Sequence, residues 1–370
     1  MIETRAPGKL YITGEYAVVE PGGAAVLAAV DRYITVRLTE GSSVGRVRSS
    51  AYGQTPLEWV RDTASDQIVL EHQPYDYVFA AITAVEELRS ARELAPCYFD
   101  LDIGSELNDA SGRKFGLGSS AAVTVAVIEA LDRFYDLGLT TTERFKLALL
   151  ATIEVAPNAS GGDLAASTFG GWVLYCSPDR ARLRAHRAQH GVVATMNDSA
   201  QWAGSGVSHV PHPDDLLLLV GWTGSPASTE RLVEQVRAPG ESRTPDQRRA
   251  LVPYSTFAAD SRACVDELVA AFARGGADAL PVITRARGHL QRLSASSGVL
   301  IETDQLQILC NIAEEHGAAG KPSGAGGGDC GIVLARRDRP TDPILHGWQE
   351  AGILPLDLRV HPVAGDADDF

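Results

Sequence analysis

Gly112-Arg113-Lys114-Phe115-Gly116-Leu117-Gly118-Ser119-Ser120-Ala121-Ala122 is the stretch on which the reading of this chain turns. It runs straight into Val123, Val127, Ala130, Leu131 and Phe134, apolar residues at helical spacing that Gly138 closes. Glycines let a backbone approach a ligand closely, and the first free N–H groups of a helix converge on one point. An anion there gains roughly 0.3–1 kcal/mol from the helix dipole when exposed, and more when buried. Ser119 and Ser120 can cap the helix, or one of them can ligate a magnesium ion bridging nucleotide phosphates. A capped helix after a turn explains the serines but not the adjoining Arg113-Lys114 pair. Neither common nucleotide loop fits. The Walker pattern places its lysine at the helix start, and the dinucleotide fingerprint needs Gly-x-Gly-x-x-Gly after a strand. Here the lysine precedes the glycines.

Two more glycine-rich segments lie far from this one. Lys321-Pro322-Ser323-Gly324-Ala325-Gly326-Gly327-Gly328-Asp329-Cys330-Gly331 holds more glycine than a tight turn needs. A mobile hinge is one explanation; a loop pressed against a phosphate or a transferring phosphoryl group is the better one. Near the start, Ala6-Pro7-Gly8-Lys9-Leu10-Tyr11-Ile12-Thr13-Gly14-Glu15-Tyr16 reads by itself as a strand entering a turn. Of the 33 basic residues only four are lysines, and Lys9, Lys114 and Lys321 fall one in each glycine-rich segment. Where arginine is the default cation, a lysine suggests that a compact ammonium is wanted as a point charge on phosphate. Lys146, away from any motif, reads as a surface residue.

At 370 residues the chain is long enough for about two domains. Its 45% hydrophobic and 22% charged residues support a packed core. A net charge of −14 gives no overall attraction for nucleic acid or anionic membranes, so an anionic ligand must be held by local groups. The five cysteines are scattered and odd in number, which fits a reducing compartment better than a disulfide framework. No apolar run approaches a membrane span, and Met1–Tyr16 lacks that of a secretory signal. The expectation is a soluble cytoplasmic protein, monomer or homodimer, with no nucleic-acid or membrane partner.

Ile34, Val36 and Leu38, and likewise Cys97, Phe99, Leu101 and Ile103, alternate as in half-buried strands. Thr140 to Glu143 forms a capping box ahead of a helix burying Phe145, Ala148 and Leu149, and residues 172–176 read as a strand. Residues 178–212 are polar and irregular and are taken as the domain connection, giving domains at 1–195 and 196–370. The basic run Arg180, Arg182, Arg184 and Arg187 reads as an exposed helix face. Beyond it come a strand at 216–220, helices at 228–236, 257–273, 279–293 and 304–316, a strand at 331–335 and a helix at 343–351. An alternating strand through Leu354, Leu356, Leu358 and Val360 ends the pattern, and Glu241–Arg249 reads as a charged loop or lid. Helices and strands mix without a βαβ rhythm, so the class is α+β. His209 and His212 have Pro211 between them and no third ligand, so no metal is placed there.

At its three glycine-rich segments, taken in order, the sequence resembles the GHMP kinases, the superfamily of galactokinase, homoserine kinase and mevalonate kinase. Gly14-Glu15-Tyr16, Arg113-Lys114-Phe115, Asp163-Leu164-Ala165, Gly221-Trp222-Thr223-Gly224 and Gly328-Asp329-Cys330-Gly331 make it look most like the bacterial phosphomevalonate kinases. The resemblance implies an N-terminal domain like ribosomal protein S5 domain 2, a C-terminal ferredoxin-like domain, and ATP and substrate in the cleft between them. It also implies magnesium, and transfer of the γ-phosphoryl group of ATP to (R)-5-phosphomevalonate. Mevalonate kinase and a non-catalytic ATP-binding protein of the same fold are the alternatives.

By matching position, Gly116, Leu117, Gly118, Ser119, Ser120 and Ala121 would hold the nucleotide phosphates, with Ser120 the metal ligand. Lys9 falls at the lysine of the first motif and Asp163 at the superfamily's acidic catalytic position; Lys114 joins them as a catalytic candidate. Tyr16, Ser160, Ser228, Gly324, Ala325, Gly326 and Gly327 are the substrate-binding candidates. Glu154 is the nearest candidate for a second metal carboxylate. A phosphate monoester is largely a dianion at pH 7, its second pKa being about 6. The task is therefore to bring two polyanions together. Lys9 and Lys114 are expected to neutralise them, with Asp163 mainly orienting Lys9 or the metal shell and not needed to abstract a proton.

Overall fold

The computed structural model describes residues 1–50, 55–64, 66–70, 76–224, 229–237, 253–276 and 278–365. Ser228 and the Glu241–Arg249 segment lie outside the described residues. The first half is built on β1 (Ile2–Thr13) and β2 (Ala24–Glu40), a long antiparallel pair with bulges after Pro7 and Tyr11. β3 (Gly45–Ser49), β4 (Leu57–Arg61), β5 (Ile68–Leu70), β6 (Phe99–Ser105), β7 (Trp172–Cys176) and β8 (Gly206–His209) complete a sheet of order β5-β4-β3-β6-β2-β7-β8, with β1 paired to β2. Among the described residues only β3 and β6 run parallel.

Helices α1 (Tyr77–Ala91), α2 (Ser119–Tyr135), α3 (Thr141–Val155) and α4 (Gly162–Phe169) pack together, with α2 and α4 against β1 and β2. Two of the four starts carry a side-chain cap. Asp76 accepts from the N–H groups of Val78 and Phe79 at 3.0 Å, and the expected capping box of Thr140 with Glu143 is present. Residues such as Ala122 and Ala126 let α2 come close to β1, where the Thr4 hydroxyl donates to Ala126 O at 2.7 Å.

Two expectations are corrected between residues 178 and 212, the second only in part. The segment is not irregular: α5 (Arg180–Asn197) is capped by Asp179 and buries Leu183, Val192 and Met196, with a break at Gly191 (φ 79°). The basic run is an exposed face only in part: Arg182 and Arg184 are exposed, and the other two are not. Arg180 is buried, donating to Ser177 Oγ and Val19 O, and Arg187 reaches Leu150 O and Glu87. Arginine stems bury readily when each guanidinium finds carbonyl or carboxylate partners. Because β8 joins the first sheet, we propose the division between the halves at 210–215, beyond the expected 195. His209 faces Phe169 O and His212 accepts from Trp172 Nε1, so both are occupied in packing. Lys146 is half-buried, its ammonium donating to Met196 O and lying over Trp202.

The second half is a four-stranded antiparallel sheet, β10-β11-β9-β12, from β9 (Leu216–Trp222), β10 (Ala319–Pro322), β11 (Cys330–Arg336) and β12 (Leu354–Leu356). α6 (Thr229–Arg237), α7 (Tyr254–Ala273), α8 (Ala279–Ser297), α9 (Asp304–Glu315) and α10 (Asp342–Glu350) accompany it. One apolar cluster runs through both halves, with Trp172 edge-on to Phe272 at 5.1 Å. The expected strand over 354–360 divides. β12 pairs with β9, whereas Val360 bridges Val30 and His361 exchanges hydrogen bonds with Ala29 and Gly171. The open backbone groups of β2 at its bulge need partners, and the end of the chain supplies them. Among the described residues no helix is long and apolar enough to cross a membrane.

Candidate active site

Lys9 and Tyr11 lie two residues apart on β1 and so share a face. The Lys9 N–H donates to Leu117 O at 2.9 Å, docking the second glycine-rich segment beside β1. The Lys9 ammonium lies 3.4 Å from Asp163 Oδ2 and 5.1 Å from the centre of the Tyr11 ring. The lysine side chain is 7% exposed and the aspartate 35%, so the pair opens toward solvent from the aspartate side. Asp163 occupies the first turn of α4, where the dipole favours an anion.

Gly118 closes this arrangement. It caps α2 at φ 79°, and a Cβ there would lie 2.7 Å from Lys9 Cε and 3.3 Å from Asp163 Oδ2. Only glycine allows the loop so near the pair. Gly116 makes the same close approach to Asp329 of the third segment, whose Cγ would stand 2.6 Å from a Cβ. Ser119 and Ser120 begin α2 half-exposed, with the free N–H groups of its first turn around them. Ala121, next in the helix, is buried.

Ser160 is drawn in through Tyr11: the two hydroxyls are 2.9 Å apart, and Ser160 Oγ accepts from Gly162 N–H at 3.3 Å. The Tyr175 hydroxyl fixes Ser160 O at 2.6 Å. Burial first, and then the Asp163 carboxylate, push the Tyr11 phenol well above its ordinary pKa, so it remains a neutral donor.

The third segment is fastened to the first. Ser323 Oγ accepts from Tyr11 N–H at 2.9 Å and donates to Tyr11 O at 3.0 Å. Lys321 is fully buried, with its ammonium on Glu15 Oε1 and on Pro322 O at 2.6 Å. This corrects the phosphate role suggested by lysine usage: no ligand reaches an ammonium with no exposure. Tyr16 is also corrected as a substrate contact. It is 3% exposed and its hydroxyl donates to Ala325 O at 2.6 Å. Ala325 and Gly326 are buried, Gly327 N–H donates to Ile301 O at 2.8 Å, and a Cβ on half-exposed Gly324 would meet nothing within 4 Å.

Lys114 is exposed on a short bridge with Asn108 that leads into the Gly116–Gly118 segment. Arg113 pairs with Asp109 at 2.7 Å, donates to Gly224 O at 3.3 Å and stacks over Trp222, which packs edge-on against Phe115. Glu154 lies elsewhere, 3.9 Å from the Arg187 that also binds Glu87 of α1. Among the described residues no three His, Cys, Asp or Glu side chains converge on a metal position. Magnesium characteristically takes one or two protein oxygens, with phosphates and water for the rest. The Ser120 hydroxyl and the half-exposed Asp163 carboxylate beside the Gly118 cradle fit that demand.

Sequence reasoning missed Tyr11, Glu15, Ser323 and Asp329. All four stand inside the quoted segments, and the two-residue spacing of Lys9 and Tyr11 was the available signal.

Comparison with known proteins gives this geometry its context. Residues 76–171 match the GHMP kinases N terminal domain and residues 269–354 the GHMP kinases C terminal domain. The chain is 42% identical to phosphomevalonate kinase of Streptomyces sp. (strain CL190), with 96% of each chain covered. Among solved structures it is similar to the Lin0012 protein from Listeria innocua, with 32% identity, TM-score 0.88 and 98% of each chain covered. It is likewise similar to Streptococcus pneumoniae phosphomevalonate kinase in complex with phosphomevalonate and AMPPNP. There the identity is 28%, the TM-score 0.83, and the cover 97% of this chain and 100% of that one. With its ordered glycine segments, its two-sheet fold and a near full-length relative at this identity, the chain belongs to the GHMP kinases.

Proposed function

We propose that this chain is a phosphomevalonate kinase, transferring the γ-phosphoryl group of ATP to the phosphate of (R)-5-phosphomevalonate to give 5-diphosphomevalonate. The observation that carries the reading is the Lys9–Asp163 pair closed by Gly118 at the start of α2, in a chain 42% identical to a phosphomevalonate kinase. An ATP donor and a phosphomevalonate acceptor agree with the phosphomevalonate and AMPPNP held by the similar pneumococcal kinase. A cytoplasmic location agrees with five cysteines that are all unpaired.

Two unit charges of like sign 4 Å apart repel by about 4 kcal/mol at an effective dielectric of 20. A dianionic acceptor approaching a triphosphate meets several such terms, so neutralisation dominates the barrier. Lys9 supplies a buried ammonium held in place by Asp163, and Lys114 an exposed one from the loop lead-in. The first-turn N–H groups of α2 receive the donor phosphates, and half-exposed Ser160, held by Tyr11, offers its hydroxyl to the acceptor. Ser120 and Asp163 would hold Mg2+, which supplies further charge neutralisation when bound. Asp163, committed to Lys9, need not act as a base, because the acceptor oxygen is already ionised.

The test is a coupled ADP-release assay with phosphomevalonate, mevalonate and diphosphomevalonate offered separately. Turnover confined to phosphomevalonate supports the reading. Preference for mevalonate makes the protein a mevalonate kinase, carbon dioxide release from diphosphomevalonate a decarboxylase, and no turnover with any acid a non-catalytic member of the fold.

A further inference from the structure

We infer that Glu15 and Lys321 are positioning residues for phosphoryl transfer, holding the third glycine-rich loop at a fixed distance from Lys9. The inference rests on the kinase reading above. The pair is sealed, Lys321 at 0% and Glu15 at 3% side-chain exposure, and it joins segments 306 residues apart. It is one of three ties between the stretch after Lys9 and the loop. Tyr11 holds Ser323 through both backbone groups, Glu15 holds Lys321, and the Tyr16 hydroxyl holds Ala325 O.

The lysine is also bent onto its own chain. Lys321 is the last residue but one of β10, opposite Ile332, and its ammonium donates to Pro322 O as well as to Glu15. Both contacts therefore fix the point at which the strand becomes the loop. On the other side Tyr16 holds φ 62°, a left-handed backbone unfavourable for a residue with a side chain. Tyr254 secures it by donating to Tyr16 O at 2.8 Å. A buried ion pair is weak support for stability as such, since apolar residues of the same volume often serve as well; its distinctive effect is to fix one arrangement. Here the arrangement fixed is the loop relative to the Lys9–Asp163 pair, and a misplacement of about 1 Å at such a site costs up to about 10²-fold in rate.

The experiment compares wild type, Glu15→Gln, Lys321→Met and the double variant Glu15→Gln/Lys321→Met. Each is read by thermal unfolding, by kcat and KM for ATP and acceptor, and by hydrogen exchange of peptides covering residues 319–331. Each single variant leaves a buried charge unpaired and is expected to lose stability. The double variant leaves none and should recover most of the melting temperature. If the pair positions the loop, the double variant keeps a kcat at least about tenfold below wild type, with KM for ATP changed less than about threefold. Its loop peptides also exchange faster. Recovery of kcat and loop protection together with the melting temperature would overturn the inference and leave the pair a packing element. The exchange readout needs no turnover, so it still decides if the wild-type chain proves inactive on the proposed acceptor.

Discussion

Lys9 and Lys321 are the same residue type, each in a glycine-rich segment, each paired with a carboxylate, yet they are placed for different work. The partner of Lys9 is 35% exposed and the pair is 3.4 Å apart, so it stays open to solvent on the aspartate side. The partner of Lys321 is 3% exposed and the ammonium is shut in with it. A lysine in a glycine-rich segment is therefore not by itself open to a ligand. What separates the two is whether the counter-ion leaves a way in.

Replacing Lys9 bears hardest on that contrast. Lys9→Met should lower kcat by about 10³-fold, the scale on which one preorganised electrostatic donor acts, while the ATP dissociation constant shifts less than about fivefold. Equal losses in both would mean that Lys9 merely binds nucleotide.

A third ion pair tests what sealing does. Glu86 lies between Arg61 and Arg89, with side chains 9%, 7% and 5% exposed. Burial alone would raise its pKa, but hydrogen bonds from Arg61 and Tyr135 outweigh that and hold it below the ordinary 4.5. A lowered folded pKa adds stability above about pH 4.5 that is lost as the pH falls through the folded value. Glu86→Gln should cost about 3 kcal/mol at pH 7, leave kcat per folded molecule unchanged, and flatten the acid limb of a melting-temperature profile. A matching loss of kcat would show that sealed pairs away from the cleft also shape the site.

Gly118→Ala probes the open pair from its other side. A methyl group 2.7 Å from Lys9 Cε must push the lysine or the loop aside, so kcat/KM for ATP per folded molecule should fall by about 10²-fold, and strain at φ 79° should lower the melting temperature as well. Normal kinetics would show that the loop and Lys9 need not touch.

Much of this is written in the chain at short range. The capping box at Thr140, the strand over 172–176 and the helix after Ser119 follow from local pattern, and all are present. α1 is equally legible in the helical spacing of Val78, Ile82, Val85 and Leu88, though no helix is expected there above. Residues 180–197 mislead because arginines dominate them, although Asp179, Leu183, Val192 and Met196 carry the helix. In the site, Lys9, Gly118 and Asp163 can be named from motifs because glycine and charge are conspicuous there. The fate of Tyr16 and Lys321 cannot, since burial against Ala325 and Glu15 depends on contacts about 300 residues distant.

The smallest expected effect is the most direct test of charge neutralisation without a protein base. Asp163→Asn should keep kcat with phosphomevalonate within about tenfold of wild type at pH 8, and still bind ATP and acceptor. General-base catalysis contributes about 10²–10⁴-fold where it operates. A loss of about 10³-fold or more in a folded variant that binds both ligands would contradict that role and make Asp163 the base.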